Sequence, residues 1–298
     1  MRYAISHKTV YQYHNPVSVA HHLIRLKPRE LSNQRTLTYE LAAEPLPDLV
    51  ESHQDYFGNT VSFVTIEGLH RQLEVRSHCV VEVSPNVWPS PASTPDWETV
   101  RELCRGDSYS PAAEACEFTF SSPLISPRQD FAEYCATSFP PGRPLLEAAI
   151  DLMQRIHAEF KFDPQATTVA TPLEQVFRQR RGVCQDFAHF QIACLRALRL
   201  PARYVSGYLE TVPPPGRTKL LGADSSHAWT QVWCGESGWI DLDPTNNLLP
   251  TDRHVTLAWG RDFGDVSPLR GVLVGSGRHQ LKVAVDVTPL SRTEASNA

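Results

Sequence analysis

The sequence predicts an α+β protein, in which a β-rich first domain precedes a core where one helix packs on an antiparallel sheet. Three observations lead to this prediction. The first 85 residues alternate apolar and polar positions between turns, which is typical of half-buried strands. Residues 184–199 instead carry apolar side chains at spacings of three and four, which is typical of a helix, and strand-like segments follow it. A chain of 298 residues has room for about two domains.

The first domain, residues 1–85, is predicted to be an all-β sandwich or barrel. Its alternating segments span 9–13, 35–42, 59–66 and 72–83. Asn-Pro, Pro-Asp and Phe-Gly-Asn turns separate these segments. Residues 86–140 are predicted to be a linker followed by helices, because residues 84–95 are rich in Pro and Ser and helical spacing begins after them.

The second domain is predicted to span residues 141–290. Helices are predicted over 96–105 and 128–137 before this domain, and over 143–160 at its start. A short helix is predicted from residue 172, because Thr171-Pro172-Leu173-Glu174 matches a capping box with Pro at the first helical position. The core helix over 184–199 begins after the Arg180-Arg181-Gly182 turn, and Pro201 prevents it from continuing.

Three strands are predicted after the core helix from their aromatic and β-branched content, at 202–209, 227–234 and 238–243. The polar stretch 211–226 between the first two is long enough for a binding loop or lid. Near the C-terminus, apolar residues 271–274 and 281–287 flank Gly275-Ser276-Gly277, which predicts a hairpin. Residues 291–298 are predicted to be a disordered tail.

The candidate catalytic residues are a Cys, a His and an Asp in that order along the chain. Cys184 begins the core helix, and a helix start together with a neighbouring imidazolium favours the thiolate form that attacks a carbonyl. His227 would donate a proton to the leaving amine, and a carboxylate would orient its ring. Alternation places Asp241 and Asp243 on one face of the third strand, so strand parity leaves both open for this role.

Three motifs resemble the core of the transglutaminase-like superfamily, the papain-like thiol enzymes. They are Gly182-Val183-Cys184-Gln185-Asp186-Phe187-Ala188, His227-Ala228-Trp229-Thr230-Gln231-Val232-Trp233 and Gly238-Trp239-Ile240-Asp241-Leu242-Asp243-Pro244-Thr245. Within them only Gln231 departs from the family pattern, where Glu is more usual. The resemblance covers roughly residues 145–250 and implies a papain/transglutaminase-like core with a Cys184-His227-Asp243 triad, because the family's third member is the Asp before Pro-Thr.

The resemblance also extends outside the core. Residues 1–85 are similar to the β-rich domain that precedes the core in a bacterial subgroup, and 260–271 are similar to a segment that follows it. Animal transglutaminases place a Trp oxyanion donor upstream of the Cys, where this chain has Phe160-Lys161-Phe162. The backbone N–H of Cys184 is the expected first donor. Candidates for contacts with substrate or oxyanion are Gln185, Asp186 and Trp229.

Composition limits the possible partners and cofactors. A net charge of −5 without a basic run argues against nucleic acid as a partner. No apolar run approaches 18 residues and the N-terminus lacks a signal-peptide core, so we expect no membrane span and a cytoplasmic protein. The seven Cys residues include no C-x-x-C pair, and the chain has neither an H-E-x-x-H motif nor a calcium loop. We therefore expect no disulfide framework, no metal and no other cofactor.

The sequence thus predicts a cysteine peptidase or amidase that acts on a peptide or protein amide through a thioester. Transamidation would use the same three residues, with an amine in place of water. A non-catalytic, peptide-binding scaffold that retains the fold is a further alternative.

Overall fold

The structure, a computed structural model, describes residues 1–105, 112–211, 226–275 and 277–290. The strands are β1 Arg2–Ile24, β2 Gln34–Glu44, β3 Leu49–Gln54, β4 Thr60–Val83, β5 Lys161–Phe162, β6 Arg181–Gly182, β7 Ala202–Leu209, β8 Ser226–Trp233, β9 Trp239–Leu242, β10 His254–Gly260, β11 Leu269–Val274 and β12 His279–Pro289. The helices are α1 Trp97–Leu103, α2 Ala113–Cys116, α3 Gln129–Ala136, α4 Leu145–Glu159, α5 Leu173–Gln179, α6 Cys184–Ala197 and α7 Phe263–Val266. The predicted loop 211–226, apart from its two end residues, and the predicted tail 291–298 lie outside the described residues.

The β-rich part of the chain forms one antiparallel sheet of long strands. β1 and β4 pair at its centre, from Arg2 opposite Glu82 to Ile24 opposite Ser62. β2 and β3 follow one another along the outer edge of β4. The segments predicted for this domain are therefore parts of longer strands. In the described residues they pair into a single antiparallel sheet, which the pairing does not close into a barrel.

The prediction went wrong at the Asn15-Pro16 turn. The chain does not reverse there, because both halves of β1 carry the alternating apolar residues that pack on the core. The turn is instead an irregularity within β1, where the register with β4 shifts between Gln12 and Val17. A β-bulge of this kind bends a strand without ending it.

The predicted C-terminal hairpin is also wrong. β11 pairs with residues 19–24 of β1, and β12 pairs with residues 3–13, so the chain keeps its direction along the same edge. The glycines between β11 and β12 lie beside the irregularity in β1. A side chain at Gly275 would lie 3.2 Å from the Pro16 carbonyl oxygen, and Gly277 has a φ of +117°, which favours glycine. The two strands therefore extend the sheet of the first domain because β1 offers them one long edge.

The core has the predicted helix-on-sheet arrangement. Its antiparallel sheet has the order β10-β7-β8-β9, and α6 packs against one face, where the Thr230 hydroxyl donates to the Ala188 carbonyl oxygen at 3.4 Å. The predicted α+β fold class, with a helix on an antiparallel sheet after a β-rich region, is confirmed. The three strands and α6 begin and end within two residues of their predicted bounds, whereas β10 was not predicted.

The helices around α6 follow the apolar spacing of the sequence. α1, α3 and α4 lie within two residues of the predicted bounds. α5 begins at Leu173, one residue after the predicted start, and Pro172 is its N-cap rather than its first helical residue. The predicted capping box is absent, because the Thr171 hydroxyl accepts the Thr168 N–H instead. No helix in the described part of the chain combines the length and the apolar character needed to cross a lipid bilayer.

The first domain covers the free edge of the core sheet. β10 is the edge strand, and two side-chain amides take the place of its missing neighbour. Gln34 accepts the Thr256 N–H and donates to the Thr256 carbonyl, both at 2.8 Å. Asn59 makes the same pair of bonds with Trp259, at 3.0 and 2.9 Å. The exposed hydrogen-bonding groups of an edge strand are thereby satisfied, and the two parts of the chain are held together.

Candidate active site

The start of α6 is fixed by Asp186. One oxygen of its carboxylate, Oδ2, accepts the Val183 N–H at 2.8 Å and the Thr167 hydroxyl at 2.6 Å. A side chain at Gly182 would lie 2.5 Å from that oxygen, so glycine is required for this cap to form. Cys184 is consequently held as the first residue of the helix, where it is half-buried beside unpaired N–H groups.

His227 lies between Cys184 and Asp243. Its Nε2–H donates to Oδ2 of Asp243 at 2.7 Å. The other carboxylate oxygen, Oδ1, accepts the backbone N–H groups of Thr245 at 3.0 Å and Asn246 at 3.1 Å. Asp243 has no exposed surface, and the tight turn that follows β9 supplies these two donors. The structure therefore brings the three predicted catalytic residues together.

Two further residues reach the same carboxylate, and the sequence did not reveal either of them. His254 at the start of β10 has its Nε2 3.0 Å from Oδ2 of Asp243. The side-chain amide of Asn246 donates to that oxygen at 2.7 Å. The only available signal for His254 was the β-branched and aromatic run that follows it, which marks a fourth strand.

The pKa shifts of Asp243, His227 and His254 indicate that Asp243 is ionised and that only one of the two histidines is charged. Burial opposes the charge on Asp243, but hydrogen bonds from His227 and His254 hold its pKa well below the ordinary range. Burial likewise opposes the charge on His227, but the interactions with Asp243 and Cys184 raise its pKa to about 10. Burial lowers the pKa of His254, even though Asp243 counteracts it. His227 is therefore an imidazolium at neutral pH and His254 is neutral.

The same cluster is the candidate metal site. In the described residues, His227, Asp243 and His254 alone form a group of three or more His, Cys, Asp or Glu ligand atoms within 4.8 Å of one another. The separations of 2.7 and 3.0 Å from each histidine nitrogen to Asp243 are those of hydrogen bonds. Two ligands of one tetrahedral zinc ion, each about 2.1 Å from it, would stand farther apart. The geometry is therefore that of a hydrogen-bonded cluster.

Asp241, the competing carboxylate, points to a different partner. It accepts the indole N–H of Trp229 at 2.7 Å, and burial raises its pKa to about 6. Trp229 is 1% exposed and its only N–H is occupied by this bond. The indole N–H of Trp229 is therefore occupied by Asp241 and is not a free donor for an oxyanion.

Gln185 and Asp186, the other two candidates, line a cavity of about 230 Å³ beside the start of α6. Gln185 is half-buried there and Asp186 is 4% exposed. Within the described chain, the backbone N–H groups of Cys184 and Gln185 have no hydrogen-bond acceptor. The first turn of α6 thus carries the nucleophile, two free backbone donors and part of the wall of a cavity.

Comparison with known proteins agrees with this geometry. A model described as "Bacterial transglutaminase-like N-terminal region" matches residues 3–82, and one described as "Transglutaminase-like superfamily" matches residues 134–244. The uncharacterized protein Rv2569c of Mycobacterium tuberculosis is 38% identical over 296 residues, which cover 97% of this chain and 93% of that protein. The chain belongs to the transglutaminase-like superfamily.

Two further similar proteins show how far the likeness extends. The crystal structure of a candidate cysteine protease from Cytophaga hutchinsonii covers 98% of this chain and 92% of its own, with a TM-score of 0.75 and 20% identity. That likeness shows the fold. A protein-glutamine gamma-glutamyltransferase of Pseudomonas aeruginosa is 30% identical over 128 residues, which are 37% of this chain and 19% of that enzyme. The superfamily relationship therefore covers both the β-rich region and the core.

Proposed function

We propose that this protein is a cysteine-dependent amide hydrolase that cleaves a peptide or protein amide through a thioester. The observation that carries the proposal is the position of His227, which interacts with Cys184 and donates to Asp243 at 2.7 Å. The same interactions raise its pKa to about 10, which supports an imidazolium poised to give up its proton. This is the arrangement that nucleophilic acyl transfer needs.

The proposed reaction has two steps. The Cys184 thiolate forms a bond to the amide carbonyl carbon, His227 gives its proton to the amide nitrogen, and the C–N bond breaks to release an amine. Water, deprotonated by the now neutral His227, then attacks the thioester and yields a carboxylic acid. The sulfur leaves as the thiolate and His227 regains its charge. Asp243 stays ionised throughout and keeps the ring in one orientation.

The start of α6 is the proposed oxyanion site. A tetrahedral intermediate on the Cys184 sulfur places its oxygen close to the first N–H groups of the helix. Those of Cys184 and Gln185 are free of acceptors in the described chain, and they cost no rearrangement when the negative charge develops. We assign the stabilisation of the oxyanion to these two donors.

Transamidation is the second candidate, because the chain is similar to the Pseudomonas aeruginosa protein-glutamine gamma-glutamyltransferase. The thioester would form on a glutamine side chain with loss of ammonia, and a primary amine would replace water in the second step. Hydrolysis remains the first candidate, because water needs no binding site of its own in the second step, whereas transamidation needs a site for an unprotonated amine.

Product analysis separates the two candidates. The full-length protein is incubated with casein and with a pool of synthetic peptides, with and without a dansylated primary amine, and the products are identified by mass spectrometry. Hydrolysis predicts cleaved or deamidated peptides whether or not the amine is present. Dominant incorporation of the amine would favour transamidation instead.

Dependence on Cys184 tests the enzyme proposal itself. Cys184→Ala should abolish product formation, whereas Cys104→Ala, which removes another half-buried thiol at the end of α1, should retain it. Equal activity in the two variants, or no product from the wild type on any peptide, would contradict the proposal.

A further inference from the structure

The cavity beside the nucleophile has the size of a subsite. Residues 123–126 and 169–174 form most of its wall, and Gln185, Asp186 and His189 of α6 complete it. Its volume of about 230 Å³ lies below the range of roughly 300–1,000 Å³ that is typical of pockets for drug-sized ligands. It therefore suits one amino acid side chain or the end of a peptide. Two of its residues, Gln185 and Asp186, follow Cys184 in the first turn of α6, so the cavity borders the same helix turn as the nucleophile.

One carboxylate oxygen in this wall accepts no hydrogen bond from the described chain. The carboxylate of Asp186 is 4% exposed, and both of its hydrogen bonds, from Val183 and Thr167, go to Oδ2. No hydrogen bond in the described chain reaches Oδ1. A charged acceptor in the protein interior is costly unless a donor satisfies it. Oδ1 is therefore available for a donor that enters the cavity.

The charge of the wall indicates which donor fits. Two carboxylates line the cavity, Asp186 and Glu174, and no Lys or Arg does. Glu174 is already paired with the guanidinium of Arg128 at 2.9 Å. His189 adds no charge, because burial lowers its pKa to about 4 and its Nε2 accepts the Phe263 N–H at 3.1 Å. The uncompensated charge in the wall is thus the negative charge of Asp186.

We propose that this cavity binds a protonated amino group of the substrate, with Oδ1 of Asp186 as the acceptor. The inference rests on the proposed function, because it assigns a specificity to the same nucleophile. The ammonium group has two sources, the α-amino group of a peptide N-terminus and the side chain of a lysine near the cleaved amide. A neutral group would make the hydrogen bond without the charge attraction, so it binds more weakly.

The first experiment measures, without any peptide, whether the cavity favours a cationic over a neutral thiol reagent. The full chain is treated with 2-aminoethyl methanethiosulfonate, which carries an ammonium group, and with its neutral 2-hydroxyethyl analogue. Modification of Cys184 is followed by mass spectrometry of the peptide that contains it. Because a cationic reagent reacts faster with any thiolate, the ratio of the two rate constants at Cys184 is divided by the same ratio for free 2-mercaptoethanol. We expect this normalised ratio to be about ten in the wild type and close to one in Asp186→Asn. Asparagine keeps the bond to Val183 and presents an N–H to the cavity.

Two further variants make this test specific. Glu133→Gln removes an exposed carboxylate on α3 that does not line the cavity, and it should leave the ratio unchanged. Ala170→Phe, at an exposed position in the wall, should obstruct the cavity and lower the ratio even if Asp186→Asn does not fold. A ratio near one in the wild type, or a ratio that Ala170→Phe leaves unchanged, would overturn the inference.

Peptide pairs then identify the source of the ammonium group. One pair has a free or an acetylated N-terminus, and the other has lysine or acetyl-lysine beside the cleaved amide. A higher kcat/KM for the charged member in one pair assigns the source, and equal values in both pairs contradict the inference. Failure of every peptide to react would contradict the proposed function instead, because the thiol reagents report on the cavity without turnover.

Discussion

Asp241 and Asp243 lie two residues apart at the end of one strand, and their surroundings give them opposite properties. Both are buried, with exposures of 7% and 0%. Burial raises the pKa of Asp241 to about 6, whereas Asp243 is held well below the ordinary range despite burial. The difference is in the donors: two histidines, an amide and two backbone N–H groups reach Asp243. Donors, rather than depth, decide whether a buried carboxylate keeps its charge.

The residues around Asp241 hold the β-rich sheet and the core sheet together. Its neighbour Gln231 accepts a hydrogen bond from Arg203 Nε at 2.7 Å. The Arg203 guanidinium lies 4.1 Å from the Trp239 ring and 3.8 Å from the Trp259 ring. Arg29 of the first domain covers the same Trp259 ring at 3.5 Å. These cation–π contacts join the β-rich sheet to the core sheet, while the region around Asp243 orients a proton donor.

The largest expected difference is in turnover, when Asp241 and Asp243 are each replaced by Asn. Asp243→Asn should lower kcat by about 10⁴-fold, because the amide no longer fixes the charged ring of His227. Asp241→Asn should stay within about tenfold of the wild type, since it keeps an acceptor for Trp229. Both variants are compared on the same peptide, with circular dichroism to check folding. Near-normal turnover of Asp243→Asn would transfer the orienting role to another residue.

Substitutions of His254, which contacts Asp243, should have a smaller effect on kcat/KM. His254→Ala removes one donor from Oδ2 and should lower kcat/KM by about tenfold. His254→Gln keeps a side-chain N–H and should restore part of the loss. If the two variants have the same activity and the same pH profile, the bond from His254 does not position Asp243.

The pH dependence of stability should separate the two carboxylates. Because the folded-state pKa of Asp241 is raised from 3.8 to about 6, the folded state binds its proton more tightly. The free energy of unfolding should therefore fall as pH rises from 4 to 6, by about 2 kcal/mol from this group. Asp243 acts oppositely, since its lowered pKa makes stability fall as pH drops below about 4.

Urea titrations at several pH values test this difference. The free energy of unfolding of Asp241→Asn should change less between pH 4 and 6 than that of the wild type. Parallel curves for the two proteins would show that Asp241 titrates as an ordinary surface carboxylate.

The smallest expected effect concerns Gln231, where the family more often has Glu. Gln231→Glu keeps an acceptor for Arg203 but replaces the amide that interacts with Asp241 by a second carboxylate. Like charges should raise the pKa of Asp241 above about 6, with turnover within about twofold of the wild type. Carboxyl chemical shifts followed by NMR against pH measure the change. A lowered Asp241 pKa would contradict this account of its environment.

Local patterns in the sequence determined the elements that carry the site. The spacing of apolar residues predicted α6, and β-branched and aromatic content predicted β7, β8 and β9. The order of Cys184, His227 and the aspartates indicated acyl transfer before any contact was known. These features could be predicted because each depends on residues that are neighbours along the chain.

Only the tertiary structure decided which partners meet. Strand parity put Asp241 and Asp243 on the same face, and the bonds to Trp229 and His227 then separated them. His254 reaches the site because β10 pairs with β7, and the C-terminal strands join β1 because its edge is long enough for both. Such contacts join residues far apart in sequence, and local spacing carries no information about which distant groups will share a buried hydrogen bond.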